Sequence, residues 1–149
     1  MVMPGPIGGG MSWSANGGFH AETRTVLVVE DNWMVLEMLR DVLRSSGLEV
    51  IVAPEPLAGT GLLRARSVDV LITDFFAGTS PESCRLSLDG LLIAARQAGI
   101  PILCVTGRVF DPTISAAEFV VDDIIAKPFD VDEVVRRVWA LAARGRRVG

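Results

Sequence analysis

The chain has 149 residues and half of them are hydrophobic, which suits one globular domain with an ordinary buried core. Its formal net charge of -4 argues against a nucleic-acid partner, because neutralising phosphates requires clustered Lys and Arg. No apolar run reaches the roughly 18 residues of a membrane span, and the first residues lack the basic start and apolar core of a signal peptide. We therefore expect a cytoplasmic protein with no membrane partner.

Composition also suggests how the chain is divided. Residues 1–23 are rich in Gly, Ser and Pro and show no hydrophobic period, which predicts a flexible N-terminal tail. Residues 24–144 are predicted to form the folded domain. Residues 145–149 form a short basic end, which we interpret as the solvated end of a helix.

The first half of the domain alternates between short apolar runs and helical periods. The apolar runs predict three strands: Thr25–Val29, Glu49–Ala53 and Val68–Thr73. Between them, a helix is predicted from Asn32, its expected cap, to Ser46, and a weaker one over Pro56–Arg66. The second helix is weaker because Gly59 and Gly61 lower its helix propensity.

The second half continues the alternation after a polar stretch, Gly78–Ser87. The elements predicted there are a helix from Asp89 to Ala98, a strand over Ile100–Val105, at best a short helix over Thr113–Glu118, a strand over Asp123–Ala126, and a last helix that begins at Asp130. Asp130 and Glu133 have the spacing of a capping box.

Strands that alternate with helices predict a parallel sheet covered by helices on both faces. In such sheets, ligands bind beyond the carboxyl ends of the strands. At this edge, polar residues follow four of the five predicted strands: Glu30 and Asp31, Asp74, Thr106 and Lys127. The sequence therefore predicts a functional site at this edge, although Asp31 alone could also be read as a helix cap.

The charges of these residues indicate the chemistry. Three carboxylates within about 5 Å repel by roughly 3 kcal/mol per pair at an effective dielectric near 20. Lys127, the only lysine in the chain, balances one of them, and a divalent cation such as Mg²⁺ or Mn²⁺ would balance the rest. Asp74 can act as an oxygen nucleophile, with Lys127 and Thr106 stabilising a transferred phosphoryl group.

This arrangement resembles the receiver domain of two-component response regulators. The matching segments are Val28-Val29-Glu30-Asp31-Asn32, Leu71-Ile72-Thr73-Asp74, Val105-Thr106-Gly107 and Ala126-Lys127-Pro128-Phe129. The resemblance covers nearly all of the chain outside the tails. It implies a flavodoxin-like, doubly wound (βα)5 fold with strand order 2-1-3-4-5.

The resemblance also assigns a metal site. Asp74 would be the phosphoacceptor and a ligand of Mg²⁺. Asp31 would bind the ion directly and Glu30 through water, and the backbone carbonyl of Phe76 would complete the set of protein ligands.

Two more roles and the partners follow from the same resemblance. Thr106 would follow the phosphoryl group and Lys127 would pair with it, with a cis bond between Lys127 and Pro128. A histidine kinase or a histidine phosphotransfer protein would donate the phosphoryl group. A downstream protein, not identified by the sequence, would read it, and receivers often form homodimers.

Three features depart from the family pattern. Ile124 stands where receivers usually carry an aromatic residue, three positions before the lysine. About eight residues are inserted after the phosphoacceptor, because the comparable glycine is Gly90. The segment over Phe110–Glu118 looks short for a fourth helix.

We therefore expect a stand-alone receiver that catalyses its own phosphorylation and dephosphorylation and is not otherwise an enzyme. One alternative is a pseudo-receiver, a binding module that never accepts phosphate, which the departures favour. A second is a phosphatase of the haloacid dehalogenase kind. The sequence opposes that reading, because no second Asp follows two residues after Asp31.

Overall fold

The structure is a computed structural model that describes residues 11–13, 19–21, 23–74, 82–107 and 121–145, with side chains over 23–74, 86–107 and 121–144. Its strands are β1 (Met11–Trp13), β2 (Phe19–Ala21), β3 (Thr25–Val29), β4 (Glu49–Ala53), β5 (Val70–Thr73), β6 (Ile102–Thr106) and β7 (Asp123–Ala126). Its helices are α1 (Trp33–Ser45), α2 (Pro56–Ala65), α3 (Glu82–Gln97) and α4 (Val131–Gly145).

Five of the strands form one parallel sheet, in the order β4-β3-β5-β6-β7. Counted within this sheet, the order is 2-1-3-4-5, so the predicted flavodoxin-like fold is confirmed. The central strands β3, β5 and β6 are buried along their whole length. This agrees with their continuous apolar sequences, because a sheet covered on both faces has no solvent-facing side.

Each face of the sheet carries its own apolar core. One core joins alternate strand residues, such as Val28 and Ile72, to the buried faces of α1 and α4. The other joins the intervening residues, such as Leu27 and Leu71, to α2 and α3. Because successive side chains of a strand point to opposite faces, both cores share the same strands and hold them in one register.

The cap of α1 is the residue that the sequence predicted. The side-chain oxygen of Asn32 accepts hydrogen bonds from the backbone N–H groups of Met34 at 3.0 Å and Val35 at 3.2 Å. Capping by Asn32 satisfies two donors that a helix end leaves open. Asp31, which could have served as the cap, is instead left exposed beside the helix start.

The glycines of α2 have different roles. A Cβ atom at Gly59 would lie 2.7 Å from Val29 Cγ2, whereas a Cβ atom at Gly61 would have no neighbour within 4 Å. Gly59 therefore allows α2 to lie closely against the end of β3. The helix begins at Pro56, and the carboxylate of Glu55 caps it by accepting from Leu57 and Ala58.

The start of α3 differs from the prediction. The helix begins at Glu82, so the part of the predicted polar stretch that the structure describes, 82–87, is helical. The missed turns contain serines and a cysteine, whose low helix propensity hid them. Helical spacing of Leu88, Leu91 and Ala95, all buried, supports the helix through packing.

Two strands begin later than predicted, for local reasons. Asp69 lies outside β5 because its carboxylate accepts from Thr25 N at 2.8 Å and its own N–H donates to Thr25 O. Ile100 lies outside β6 because its N–H caps the end of α3 by donating to Ala95 O at 2.9 Å. Pro101 has no N–H to donate, so β6 begins at Ile102 and includes Thr106.

The predicted capping box at the start of α4 forms only in part. Asp130 accepts a hydrogen bond from Asp132 N at 2.9 Å, as an N-cap would. The carboxylate of Glu133 instead binds the Arg137 guanidinium one turn later. An oppositely charged side chain at i+4 competes with the backbone N–H for the same carboxylate.

The N-terminal segment contains a feature that the sequence did not predict. β1 and β2 pair in an antiparallel two-stranded sheet separate from the central one. The predicted short helix over Thr113–Glu118, the proposed ligand Phe76 and residues 78–81 of the polar stretch lie outside the described residues. In the part of the chain that is described, no helix has both the length and the apolar character needed to cross a bilayer.

Candidate active site

The carboxyl ends of four neighbouring strands bring the predicted polar residues together. β3 pairs with β5 so that Val29 is opposite Thr73, and the next residues are Glu30 and Asp74. The backbone supports this alignment, because Asp74 N donates to Val29 O at 3.3 Å. Parallel pairing therefore places Glu30 and Asp74 side by side without any contribution from a loop.

Three carboxylates form one acidic cluster at this edge. Glu30, Asp31 and Asp74 each offer an oxygen within 4.8 Å of the others. Their exposure differs: Glu30 is 2% exposed, Asp74 is half-buried and Asp31 is exposed. The cluster thus opens to solvent on the side of Asp31, where a hydrated ion could enter.

Lys127 bridges two of these acids. Its Nζ atom donates to Glu30 Oε1 at 2.5 Å and to Asp74 Oδ2 at 3.0 Å. The lysine reaches them because β7 pairs with β6 and ends at Ala126, one residue before Lys127. Lys127 N also donates to Thr106 O at 2.7 Å, which fixes the start of the lysine side chain against β6.

The pKa values of this pair are shifted by burial and by each other. Burial raises the pKa of Glu30 above its usual value, because the charged carboxylate loses water, and the hydrogen bond from Lys127 opposes this only in part. Burial lowers the pKa of Lys127, but its hydrogen bonds to Glu30 and Asp74 outweigh that effect and the net shift is upward. Lys127 is therefore charged at neutral pH.

Backbone contacts around the site hold the remaining groups. The second carboxylate oxygen of Glu30 accepts from Asn32 N at 3.1 Å, which orients the buried acid. The hydroxyl of Thr73 donates to Asp74 O at 2.9 Å. Thr106 is 5% exposed at the end of β6 and belongs to the same edge.

The structure brings together five of the six residues that the sequence predicted, and the sixth, Phe76, lies outside the described residues. The predicted cis bond between Lys127 and Pro128 is present. The direct ion pair between Glu30 and Lys127 was not predicted. Charge and strand position alone could not show which acid the lysine would contact.

The donor set fits a small divalent cation. Three carboxylates face one ammonium group, so the cluster keeps an excess of negative charge that a cation would offset. All the donors are oxygens, and the exposed side near Asp31 leaves room for water, the arrangement that Mg²⁺ prefers.

Comparison with known proteins agrees with this geometry. The virulence transcriptional regulatory protein PhoP of Salmonella typhimurium is 31% identical over 124 residues, 80% of this chain and 52% of PhoP. A crystal structure from Chloroflexus aurantiacus, of a protein assigned to the response regulators, is 32% identical with a TM-score of 0.66. That match covers 83% of this chain and all of the other. This chain belongs to the response-regulator receiver family.

Other comparisons define how far the likeness extends. A CheY-like receiver domain protein from Methanospirillum hungatei matches with a TM-score of 0.71 over 86% of this chain, at 17% identity, which shows the shared fold. No protein-family model matches the chain. The receiver spans about half the length of the curated relatives it matches.

One departure of this receiver from the family pattern lies within the described residues. Ile124, at the position where receivers usually carry an aromatic ring, is half-buried in β7. An aliphatic side chain has no ring to rotate between a buried and an exposed position.

Proposed function

We propose that this receiver accepts a phosphoryl group on Asp74 in a Mg²⁺-dependent reaction and thereby changes its contacts with other proteins. The observation that carries this proposal is the convergence of Glu30, Asp31 and Asp74 within 4.8 Å, with Lys127 bound to two of them. Cation-binding acids, an oxygen nucleophile and a fixed ammonium group are the parts that phosphoryl transfer requires.

Asp74 is the nucleophile because it combines partial exposure with a position between the other charged groups. One of its carboxylate oxygens forms a bond to phosphorus while the bond from phosphorus to the donor group breaks. The leaving group departs with the bonding electrons and takes up a proton. The product is an acyl phosphate on Asp74.

Lys127 and Thr106 receive the charge of the new group. The ammonium of Lys127 already lies 3.0 Å from Asp74 Oδ2, so a small movement of its flexible side chain would pair it with a phosphoryl oxygen. Thr106, at the end of the adjacent strand, would supply a hydroxyl. Glu30 keeps the lysine at the site through the second contact.

Asp31, Glu30 and Asp74 would hold the cation. When bound, Mg²⁺ supplies positive charge that shields the three carboxylates and the phosphoryl oxygens from each other. Asp31 is the strongest candidate for direct coordination because it is exposed and Lys127 does not contact it. We propose a switch that forms and hydrolyses its own acyl phosphate, rather than an enzyme that turns over a separate substrate.

A histidine kinase or a histidine phosphotransfer protein is the proposed donor. Trp33 is 61% exposed and Met34 79% exposed, and they begin α1 two residues after Asp31. Large exposed apolar side chains at the start of a helix that follows Glu30 and Asp31 suit contact with a protein rather than with a small phosphate ester alone.

The test is labelling with acetyl phosphate, followed by intact mass measurement. Wild type with Mg²⁺ should gain one phosphoryl group, and Asp74→Asn should gain none, because an amide oxygen is a poor nucleophile. Removing Mg²⁺ with a chelator should suppress labelling of the wild type. Asp89→Asn, which changes an exposed acid of α3, is the matched control and should label normally.

Two results would contradict the proposal. If the wild type gains no phosphoryl group although Mg²⁺ binds, the chain is a pseudo-receiver that uses the same edge for binding only. If Asp74→Asn labels as well as the wild type, the nucleophile is a different residue.

A further inference from the structure

A second charged site lies at the opposite edge of the sheet. Here the amino ends of β6 and β7 meet the carboxyl ends of α3 and α4 around a cavity of about 470 Å³. We call it the amino-edge cavity. Its lining residues are Arg96, Ala98, Gly99, Ile100, Pro101, Asp122 and Arg144.

Asp122 has a fixed position in this cavity. Its Oδ2 atom accepts from Ile102 N at 2.8 Å, and its own N–H donates to Ile102 O at 2.8 Å. These two bonds hold the carboxylate at the start of β6. The side chain of Asp122 is 15% exposed, and its other oxygen, Oδ1, remains for charged partners.

Two arginines approach that one oxygen without forming hydrogen bonds to it. Arg96 Nη1 and Arg144 Nη2 each lie 3.6 Å from Asp122 Oδ1, beyond hydrogen-bond range. In the described part of the chain, neither guanidinium makes a hydrogen bond to another residue. Two cations therefore face one anion, and their N–H donors remain available.

The end of α3 does not supply the missing acceptors. At the end of α3, Gly99 N donates to Arg96 O and Ile100 N donates to Ala95 O, with Gly99 at a φ of 72°. This is a Schellman cap, which satisfies carbonyls that would otherwise attract the guanidiniums. The guanidinium N–H donors of Arg96 are therefore left to the cavity.

We propose that the amino-edge cavity binds a small oxyanion of the phosphate class. The two guanidinium nitrogens are no more than twice 3.6 Å apart, because both lie at that distance from one atom. One phosphate group with hydrogen bonds of about 2.9 Å spans such a gap, and the planar fork of arginine matches its oxygens. This site is separate from Asp74 and does not depend on the proposed phosphorylation.

The experiment is a ¹⁵N NMR titration of the full chain with inorganic phosphate and then with pyrophosphate. Ionic strength is held constant with NaCl, and Mg²⁺ is left out. The amides of Gly99, Ile102 and Asp122 should shift and saturate at roughly millimolar anion. Amides at the other edge, such as that of Lys127, should not follow the same curve.

Variants make the assignment specific. Arg96→Gln and Arg144→Gln should each weaken binding roughly tenfold, because each removes a charge-assisted hydrogen bond. Asp122→Asn should strengthen binding, since the amide oxygen can still accept from Ile102 N while the competing charge is gone. Arg136→Gln, which removes an exposed arginine of α4 outside the cavity, should bind as the wild type does.

Each remaining outcome overturns the proposal. Shifts that stay linear in anion concentration would show general ionic effects, and unchanged affinity in Arg96→Gln would exclude the arginine pair. Saturation with an acidic or phosphorylated peptide but with neither inorganic anion would mean that the cavity is a protein-docking surface instead.

Discussion

Lys127 connects the stability of the fold with the chemistry of the site. Among the residues that the structure describes, Lys127 is the cation that contacts the almost completely buried Glu30. It contacts Asp74 as well. Removing one partner of a buried ion pair leaves the other charge without compensation. The lysine should therefore matter even in protein that has never been phosphorylated.

Lys127→Met keeps the aliphatic length of the side chain and removes its charge. At pH 7 without Mg²⁺, we expect it to lower the free energy of unfolding by about 2 kcal/mol, measured by urea denaturation. The matched control, Arg136→Met at an exposed site of α4, should change stability by less than about 0.5 kcal/mol.

The pH dependence of that loss follows from the raised pKa of Glu30. A carboxyl whose pKa is higher in the folded than in the unfolded protein makes stability fall as pH rises through the folded value. Without Lys127 the pKa of Glu30 rises further. The loss in free energy of unfolding of Lys127→Met relative to wild type should therefore be largest at pH 7 and shrink toward about pH 4. An equal deficit at both pH values would trace the loss to packing.

Cys104 offers a separate test of the core beneath the site. Its side chain is fully buried in β6, and burial together with the nearby charge of Asp74 raises the pKa of its thiol. Because the thiolate is the reactive form, the native thiol should be inert. In Cys84→Ser, a thiol reagent should modify no cysteine in native protein and one after denaturation.

The strands of the sheet carry the site because each of four strands ends at, or directly before, a functional residue. β3, β5, β6 and β7 deliver one or two functional residues each, and α1, α2 and α3 lie between the first three of these strands along the chain. At Gly59, α2 lies so close to β3 that an added Cβ atom would be 2.7 Å from Val29 Cγ2, one residue before Glu30. Packing of α2 therefore affects the positions of Glu30 and Asp31.

Two alanine substitutions in α2 test this packing. Gly59→Ala should destabilise the protein by about 1–3 kcal/mol, because its Cβ atom would overlap Val29 Cγ2. Gly61→Ala, where a Cβ atom meets nothing within 4 Å, should stabilise it by about 0.5–1 kcal/mol through helix propensity. Thermal unfolding of both variants measures the difference, and equal effects would contradict the close approach at Gly59.

For the molecule as a whole, the acidic cluster should link cation binding to stability. A ligand that binds only the folded state stabilises it by about 2.7 kcal/mol at 100 times its dissociation constant. For a chain of this size, that corresponds to a rise in the melting temperature of roughly 5–10 °C with Mg²⁺. The rise should depend on the three clustered acids and on no other carboxylate.

Asp31→Asn is the informative variant for this effect. It removes the exposed charge of the cluster, so the melting temperature should respond much less to Mg²⁺. Asp89→Asn, at an exposed position of α3, should respond as the wild type does. A full response in Asp31→Asn would show that the ion binds elsewhere or that Asp31 is not a ligand.

Much of the secondary structure of this receiver can be predicted from its sequence alone, because the pattern that determines each strand or helix is local. Apolar runs and helical periods are properties of a few neighbouring residues, so they predict β3, β4 and β7 to the residue and α1 with its Asn32 cap. Parallel strands then place their ends together by geometry alone, which is why Glu30, Asp31, Asp74, Thr106 and Lys127 could be assigned to one edge.

Tertiary contacts decided the rest. The first turns of α3 form where local propensity is low, because buried leucines further along pack the helix against the sheet. The pairing of Lys127 with Glu30, and of Arg96 and Arg144 with Asp122, joins residues far apart in the chain. Such contacts depend on how closely helices and strands approach one another in space, and no local pattern records that distance.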